Sequence, residues 1–423
     1  MLKDAQGLDV TTDSEQAIAA IAAHVEQCLC YRDRAESSIL QAVAADPTCI
    51  LANAHAAAYY LAQENAGSHQ QALSYLNEAQ KRLKRANERE RLYVLATEAW
   101  AGGKIDWAIA CCEELVVRFP RDILAVQRGQ YHYFYMGDHA ALMGIAGNAL
   151  VANPNNTYLL GMLAFGLEQC DRLSEAERIA RFAVDMNRYD PWAHHAVAHV
   201  METQGRYEEG IVWMENLADV WEDCNSMLYT HNWWHVALFY LAKGDSAKVL
   251  SLYDDRIWGR AQKSSPKDQV GAISLLLRLE LKGIDVGSRW QELSTYLCPR
   301  IHEHALPFQD LHYVYALARA NHLDLAREMI SSMEAHTLTV QPCLQKAWQE
   351  VALPVAKGAI AHAIHDWKKS VRELKPVLSR LHEVGGSKAQ RVLFEQIYAD
   401  ASKQAMLEGG RYFYPRHAQA IAS

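Results

Sequence analysis

This 423-residue sequence is short of most signatures of familiar chemistry. It has no Gly-rich phosphate loop, no GxSxG elbow and no dinucleotide fingerprint, so kinase, serine-hydrolase and Rossmann readings have no support. No window holds 18 consecutive apolar residues, and no membrane span is expected. The opening stretch, Met1 to Gln16, is polar and acidic and lacks the apolar run of a secretory signal. The nine cysteines contain no CxxC pair. Cys28/Cys30 and Cys111/Cys112 are spaced so that both members cannot face one tetrahedral metal from a helix. They read as reduced thiols of a cytoplasmic protein. There is no cationic excess: 42 Lys+Arg stand against 50 Asp+Glu, a net charge of −8. Neither nucleic acid nor an anionic membrane is therefore expected as a partner. The one basic run, Lys81 to Arg85, reads as a solvated helix face. Alternating Val/Ile/Thr stretches are nearly absent, which removes an extended sheet from consideration.

What remains is helical and repetitive. Pro120, Pro154 and Pro191 lie 34 and 37 residues apart, near the tetratricopeptide period. Each can stand at or just before a first helical turn, where its missing N–H costs nothing. Each following helix runs to a polar break: Met136-Gly137-Asp138, Cys170-Asp171-Arg172, Gln204-Gly205-Arg206. Looser breaks follow at Lys243-Gly244, Lys282-Gly283 and Ala320-Asn321. The pattern predicts an all-α, tetratricopeptide-like α-solenoid of about ten helix pairs. Residues 1–16 are expected to form a frayed cap. Helix pairs fill 17–260 and continue through 261–423, with Gly259 to Lys267 as the longest loop. No linker argues for independent domains.

Several short strings then become recognisable. They are Trp192-Ala193-His194-His195-Ala196-Val197-Ala198-His199, His231-Asn232-Trp233-Trp234-His235, Gly287-Ser288-Arg289-Trp290-Gln291, His304 to Phe308 with Asp310 and His312, and Gly385-Gly386-Ser387-Lys388-Ala389-Gln390-Arg391. With them the chain resembles the tetratricopeptide repeat protein 38 family, in register from about Asp46 to about Leu407. The resemblance implies a helical-repeat fold and supplies no mechanism. One departure is at Gln130-Tyr131-His132, where the family tends to carry its histidine at the position of Gln130.

The residues that could carry chemistry are histidines. His195, His199 and Glu202, at i, i+4 and i+7, share one helical face. His231 and His235 repeat the i, i+4 spacing 36 residues on, one period away. Equivalent positions on adjacent first helices should face the concave side, where four imidazoles and a carboxylate could converge. Imidazoles at i, i+4 are a common clamp for zinc or iron, and manganese is a third candidate. Glu202 or Asp310 could serve as base to a bound water. His231 to His235 resembles HExxH, but Asn232 stands where the base would be, which argues against a zincin peptidase. A metal-free hydrogen-bonded network is the rival reading of the four imidazoles.

His312 reads as packing or ligand contact, and Asp310 as a helix cap or base. Trp192, Trp233, Trp234, Tyr131, Tyr133, Phe134 and Tyr135 read as inter-repeat core, some walling a pocket. Ser387 reads as an N-cap after two permissive glycines, with Arg391 near an anion-binding helix start as the alternative. Arg289 and Trp290 read as structural. Two functions stay open. One is a binding protein whose His/aromatic groove takes a peptide, protein or small molecule. The other is a metal-dependent hydrolase or non-haem oxidase.

Overall fold

The structure, a computed structural model, describes residues 1–411, with side chains through residue 408. Among the described residues there are 22 α-helices and one two-stranded hairpin. The helices pack as successive antiparallel pairs, the arrangement expected of a tetratricopeptide-type solenoid. The start signals work through their polar residues. Asp122, Asn156, Asp190 and Asn225 each accept a backbone N–H of the helix they open: Ile123–Met136, Thr157–Gln169, Pro191–Thr203 and Ser226–Ala242. Pro191 occupies a first turn, while Pro120 and Pro154 stand in the loops before the caps. The polar breaks enter the left-handed backbone region at Gly137, Asp171, Gly205 and Gly244. That conformation lets each helix stop and its successor turn back.

The solenoid winds far enough to touch itself. The turn after the first helix (Glu15–Leu29) meets the segment before Ser226. The Asn225 N–H donates to the Tyr31 carbonyl at 2.7 Å, and Arg32 donates to the Val220 carbonyl at 2.9 Å. Further round, Glu64 accepts from Gln309 at 2.6 Å, and Lys267 donates to the Ala62 carbonyl at 2.7 Å. The last described helix, Lys388–Arg411, lies across the other side, where Arg278 donates to the Ala389 carbonyl at 2.7 Å. One apolar core runs through these elements from Val10 to Ile397. Residues 259–265 are irregular, and Pro266 opens the next helix under a Ser265 cap.

The first residues depart from expectation. Instead of fraying, Leu2–Lys3 and Asp9–Val10 pair as an antiparallel hairpin. Arg89, buried, pairs with Asp4 and Asp122, each at 2.6 Å. The Thr11 N–H donates to Glu90, and the Thr12 hydroxyl to Asp46 at 2.6 Å. A polar segment is fixed here by ion pairs, which a reading based on hydrophobic runs overlooks.

Candidate functional site

The closed winding lines a half-open cavity of about 250 Å³. Its walls come from the first helices of several pairs, with Tyr31, Tyr59, Tyr131, Phe165 and Trp192 among them. At one end stand His195, His199 and His231. They and His235 each offer a ring nitrogen, and these four atoms lie within 4.8 Å of one another. The helical i, i+4 pairs and the repeat-to-repeat stacking of Pro191–Thr203 on Ser226–Ala242 together produce this convergence. His195 Nε2 is 2.9 Å from His199 Nε2 and 3.1 Å from His231 Nε2. Trp192 packs at a tilt on His195 with ring centres 4.6 Å apart, and Trp234 lies nearly parallel to His231 at 5.2 Å.

Two carboxylates stand behind the imidazoles. Glu202 Oε2 is 3.0 Å from His235 Nδ1, and Glu168 Oε2 is 3.5 Å from His199 Nδ1. A neutral imidazole has one N–H and one lone pair. The Glu202 carboxylate at His235 Nδ1 calls the proton to that atom, so His235 Nε2 presents its lone pair to the centre, whereas His199 Nδ1 stands beside Glu168 without a hydrogen bond. His235 Nε2 is buried and has no protein partner. His195 Nε2 lies at hydrogen-bond distance from two other rings, so the protons shared there must leave before all four rings can turn lone pairs on a cation.

The electrostatics run the same way. Burial lowers the pKa of His231 to about 3 and carries His195 and His235 well below the usual value. Burial also opposes the charged form of His199, but the Glu168 carboxylate outweighs it and raises that pKa. Burial pushes the Glu202 carboxyl up to about 7, against the charges of His199 and Arg278. His195, His231 and His235 are thus held neutral with a lone pair each, while Glu168 favours the protonated form of His199, whose proton must leave before that ring can ligate.

Other expected residues go elsewhere. Glu202 touches the outer nitrogen of His235, so it orients a ring. Asp310 accepts from His304 Nδ1 at 2.6 Å, and His304 Nε2 meets the Ser332 hydroxyl at 2.7 Å. Ser–His–Asp is a hydrolase order, but Ser332 lies inside the Leu323–His336 helix, whose N–H groups are taken up by helical bonding. Without oxyanion donors the chain acts as a clamp on the turn where His304 has φ +45°. His312 donates to the Phe308 carbonyl and packs on Phe308 and Phe394. Trp234 is buried under His231, with the Arg278 guanidinium 5.2 Å above its ring. Arg391 bonds the Gly386 carbonyl and approaches His139 Nε2 at 3.5 Å, so it braces the Gly-Gly turn. Gln130 lines the cavity and donates to the Leu142 and Met162 carbonyls; His132 is buried beside Trp100.

Glu168 and Arg278 escaped the sequence reading. A signal for Glu168 existed: it lies 34 residues before Glu202, one period away, so each acid faces a histidine of the next repeat. Arg278 carried none.

No protein-family model matches the chain. Among solved structures, it is similar to a Rap protein complexed with competence and sporulation factor, at 14% identity and a TM-score of 0.47 over 77% of this chain and 99% of that one. A human IFIT1 dimer with m7Gppp-AAAA gives 13% and 0.46 over 96% and 89%. The Cut9–Hcn1 hetero-tetramer of the APC/C gives 11% and 0.40 over 92% and 77%. These likenesses are of fold alone. Among the described residues no helix is long and apolar enough to cross a membrane.

Proposed function

We propose that this protein binds one transition-metal ion through His195, His199, His231 and His235 and presents it to a small molecule in the cavity. The observation that carries the reading is the convergence of four ring nitrogens within 4.8 Å of one another, with Glu202 hydrogen-bonded to the outer nitrogen of His235 and Glu168 beside that of His199. Carboxylate-backed histidines of this kind hold catalytic and structural metals alike. An all-imidazole donor set suits zinc or iron better than manganese, which prefers oxygen. Three of the four rings line the cavity, so an added ligand or water would approach from that side. Hydrolysis by a metal-activated water, or an oxidative step at iron, would both suit such a site. The modest volume of the cavity, about 250 Å³, favours a small molecule over a peptide.

The quoted motifs support membership of the tetratricopeptide repeat protein 38 family, and nine free thiols suit a cytoplasmic setting. A cobalt(II) titration tests the site directly. One equivalent should give the visible bands of a four- or five-coordinate ion, and His231→Ala should abolish them. A pale octahedral spectrum shared by both proteins would sink the proposal.

A further inference from the structure

The cavity also has a charged end. Arg128 lines it and is half-buried, and among the described residues no hydrogen bond or ion pair engages its guanidinium. A partly desolvated guanidinium with no protein partner is open to a charge-assisted, bidentate pair with a carboxylate or phosphate. The cavity's other ionic side chains cancel. Glu64 sits at 3.1 Å from Lys267, and it also accepts from Tyr131 at 2.8 Å and Gln309 at 2.6 Å. Glu64 is therefore committed and does not neutralise Arg128. The titratable groups that feel the Arg128 charge offer no compensation either. His24, His55 and His132 are kept neutral by burial, and the phenols of Tyr31, Tyr59 and Tyr131 are pushed up by it.

Between this end and the histidines the walls are aromatic. Tyr31 stacks on Trp192 at 5.0 Å, and Trp192 in turn covers His195. Phe165 packs on both Trp192 and His195, at 4.9 and 5.6 Å. The space therefore has a cationic end, an apolar middle and a cluster of nitrogen donors.

We infer that the cavity binds a small amphipathic anion, a carboxylate or phosphate monoester on an apolar body, with its head on Arg128 and its far end toward the histidine cluster. The anion subsite stands on Arg128 and the aromatic walls; only the meaning of the far end rests on the metal reading.

Calorimetric titration of the zinc-treated full chain with 3-phenylpropionate, phenyl phosphate and the neutral 3-phenylpropan-1-ol tests this, with zinc content measured on the same samples. At least one anion should bind the wild type ten-fold or more tighter than the alcohol, and whichever is tighter identifies the head group. Arg128→Gln should erase that preference with zinc content unchanged, while Arg128→Lys should keep part of it. Equal binding of anions and alcohol, no anion binding at millimolar concentration, or undiminished preference in Arg128→Gln would each overturn the inference. Should Arg128→Gln fail to fold, Arg128→Lys decides with the wild type: its anion affinity must fall with added salt while the alcohol's does not. Zinc-treated wild type that retains no zinc yet still selects the anion would sink the metal reading and leave this one standing.

Discussion

At the scale of single residues, the carboxylates behind the imidazoles decide what the cluster is. Glu168 and Glu202 touch outer nitrogens, so neither is placed to ligate or to take a proton at the cavity. Glu202→Gln and Glu168→Gln should each weaken zinc about 10–100-fold, read by chelator competition, with helicity unchanged. An unchanged affinity in both variants would mean the acids only fill space. The four histidines and Glu202 were legible because i, i+4 spacing and a 36-residue offset carry geometry directly. Glu168 was legible only through its period relation to Glu202. Arg278 and Arg128 were not, because a single arginine on an apolar helix carries no spacing signal. Asp310 was misjudged for a similar reason. Its partner His304 lies in a left-handed turn that no periodicity predicts.

At the scale of elements, two non-helical segments hold the winding closed. The amino-terminal hairpin supplies Asp4 to the buried Arg89. Asp4→Ala should cost about 3–5 kcal/mol in chemical denaturation, because it strips a partner from a buried cation. A loss below about 1 kcal/mol would mean Asp122 alone suffices. At the other end, Gly386 has φ +83°, and a Cβ there would stand 2.6 Å from the Phe308 ring. The Ser387 hydroxyl beyond it accepts the Gln390 N–H, and the Ser387 N–H donates to the Gln390 side-chain oxygen, a reciprocal cap. Gly386→Ala should therefore destabilise by about 2 kcal/mol and loosen the Lys388–Arg411 helix, measurable by hydrogen exchange. Native protection in the variant would contradict this. The cap was readable from Gly-Gly-Ser-Lys. The hairpin was not, since its strands are two residues each and are held by polar contacts with distant helices.

At the scale of the whole molecule, closure of the superhelix turns a row of repeat positions into the wall of one cavity. The repeat type and the facing of first helices followed from the Pro and Gly spacing. The closure did not, because contacts such as Asn225 to Tyr31 and Gln309 to Glu64 join residues too far apart for local pattern to link. Closure buries many imidazoles, with a consequence for pH. His24 and His312 are lowered to about 4, and His132, His194 and His231 to about 3, in each case chiefly by burial. Unfolded histidines take protons below about 6.5, whereas these do not until far lower. The unfolded state thus binds more protons across that window, and metal-free protein should lose stability as pH falls from about 6.5 to about 4. Each such group contributes up to about 1.4 kcal/mol per pH unit. Asp190 and Glu202, both raised to about 7 by burial, act oppositely over part of this range but are outnumbered. Thermal melts of metal-free protein at pH 7 and pH 4.5 check the sign; a higher melting temperature at pH 4.5 would refute it.

The central claim is a metal ion among four imidazoles, and elemental analysis by mass spectrometry addresses it most directly. Protein purified without a His-tag would be compared with His195→Ala/His235→Ala, both confirmed folded by circular dichroism. The account predicts near-stoichiometric zinc or iron in the wild type and its loss in the variant. Equal, substoichiometric metal in both, even after incubation with zinc and with ferrous iron, would contradict it and leave a metal-free histidine network lining the cavity.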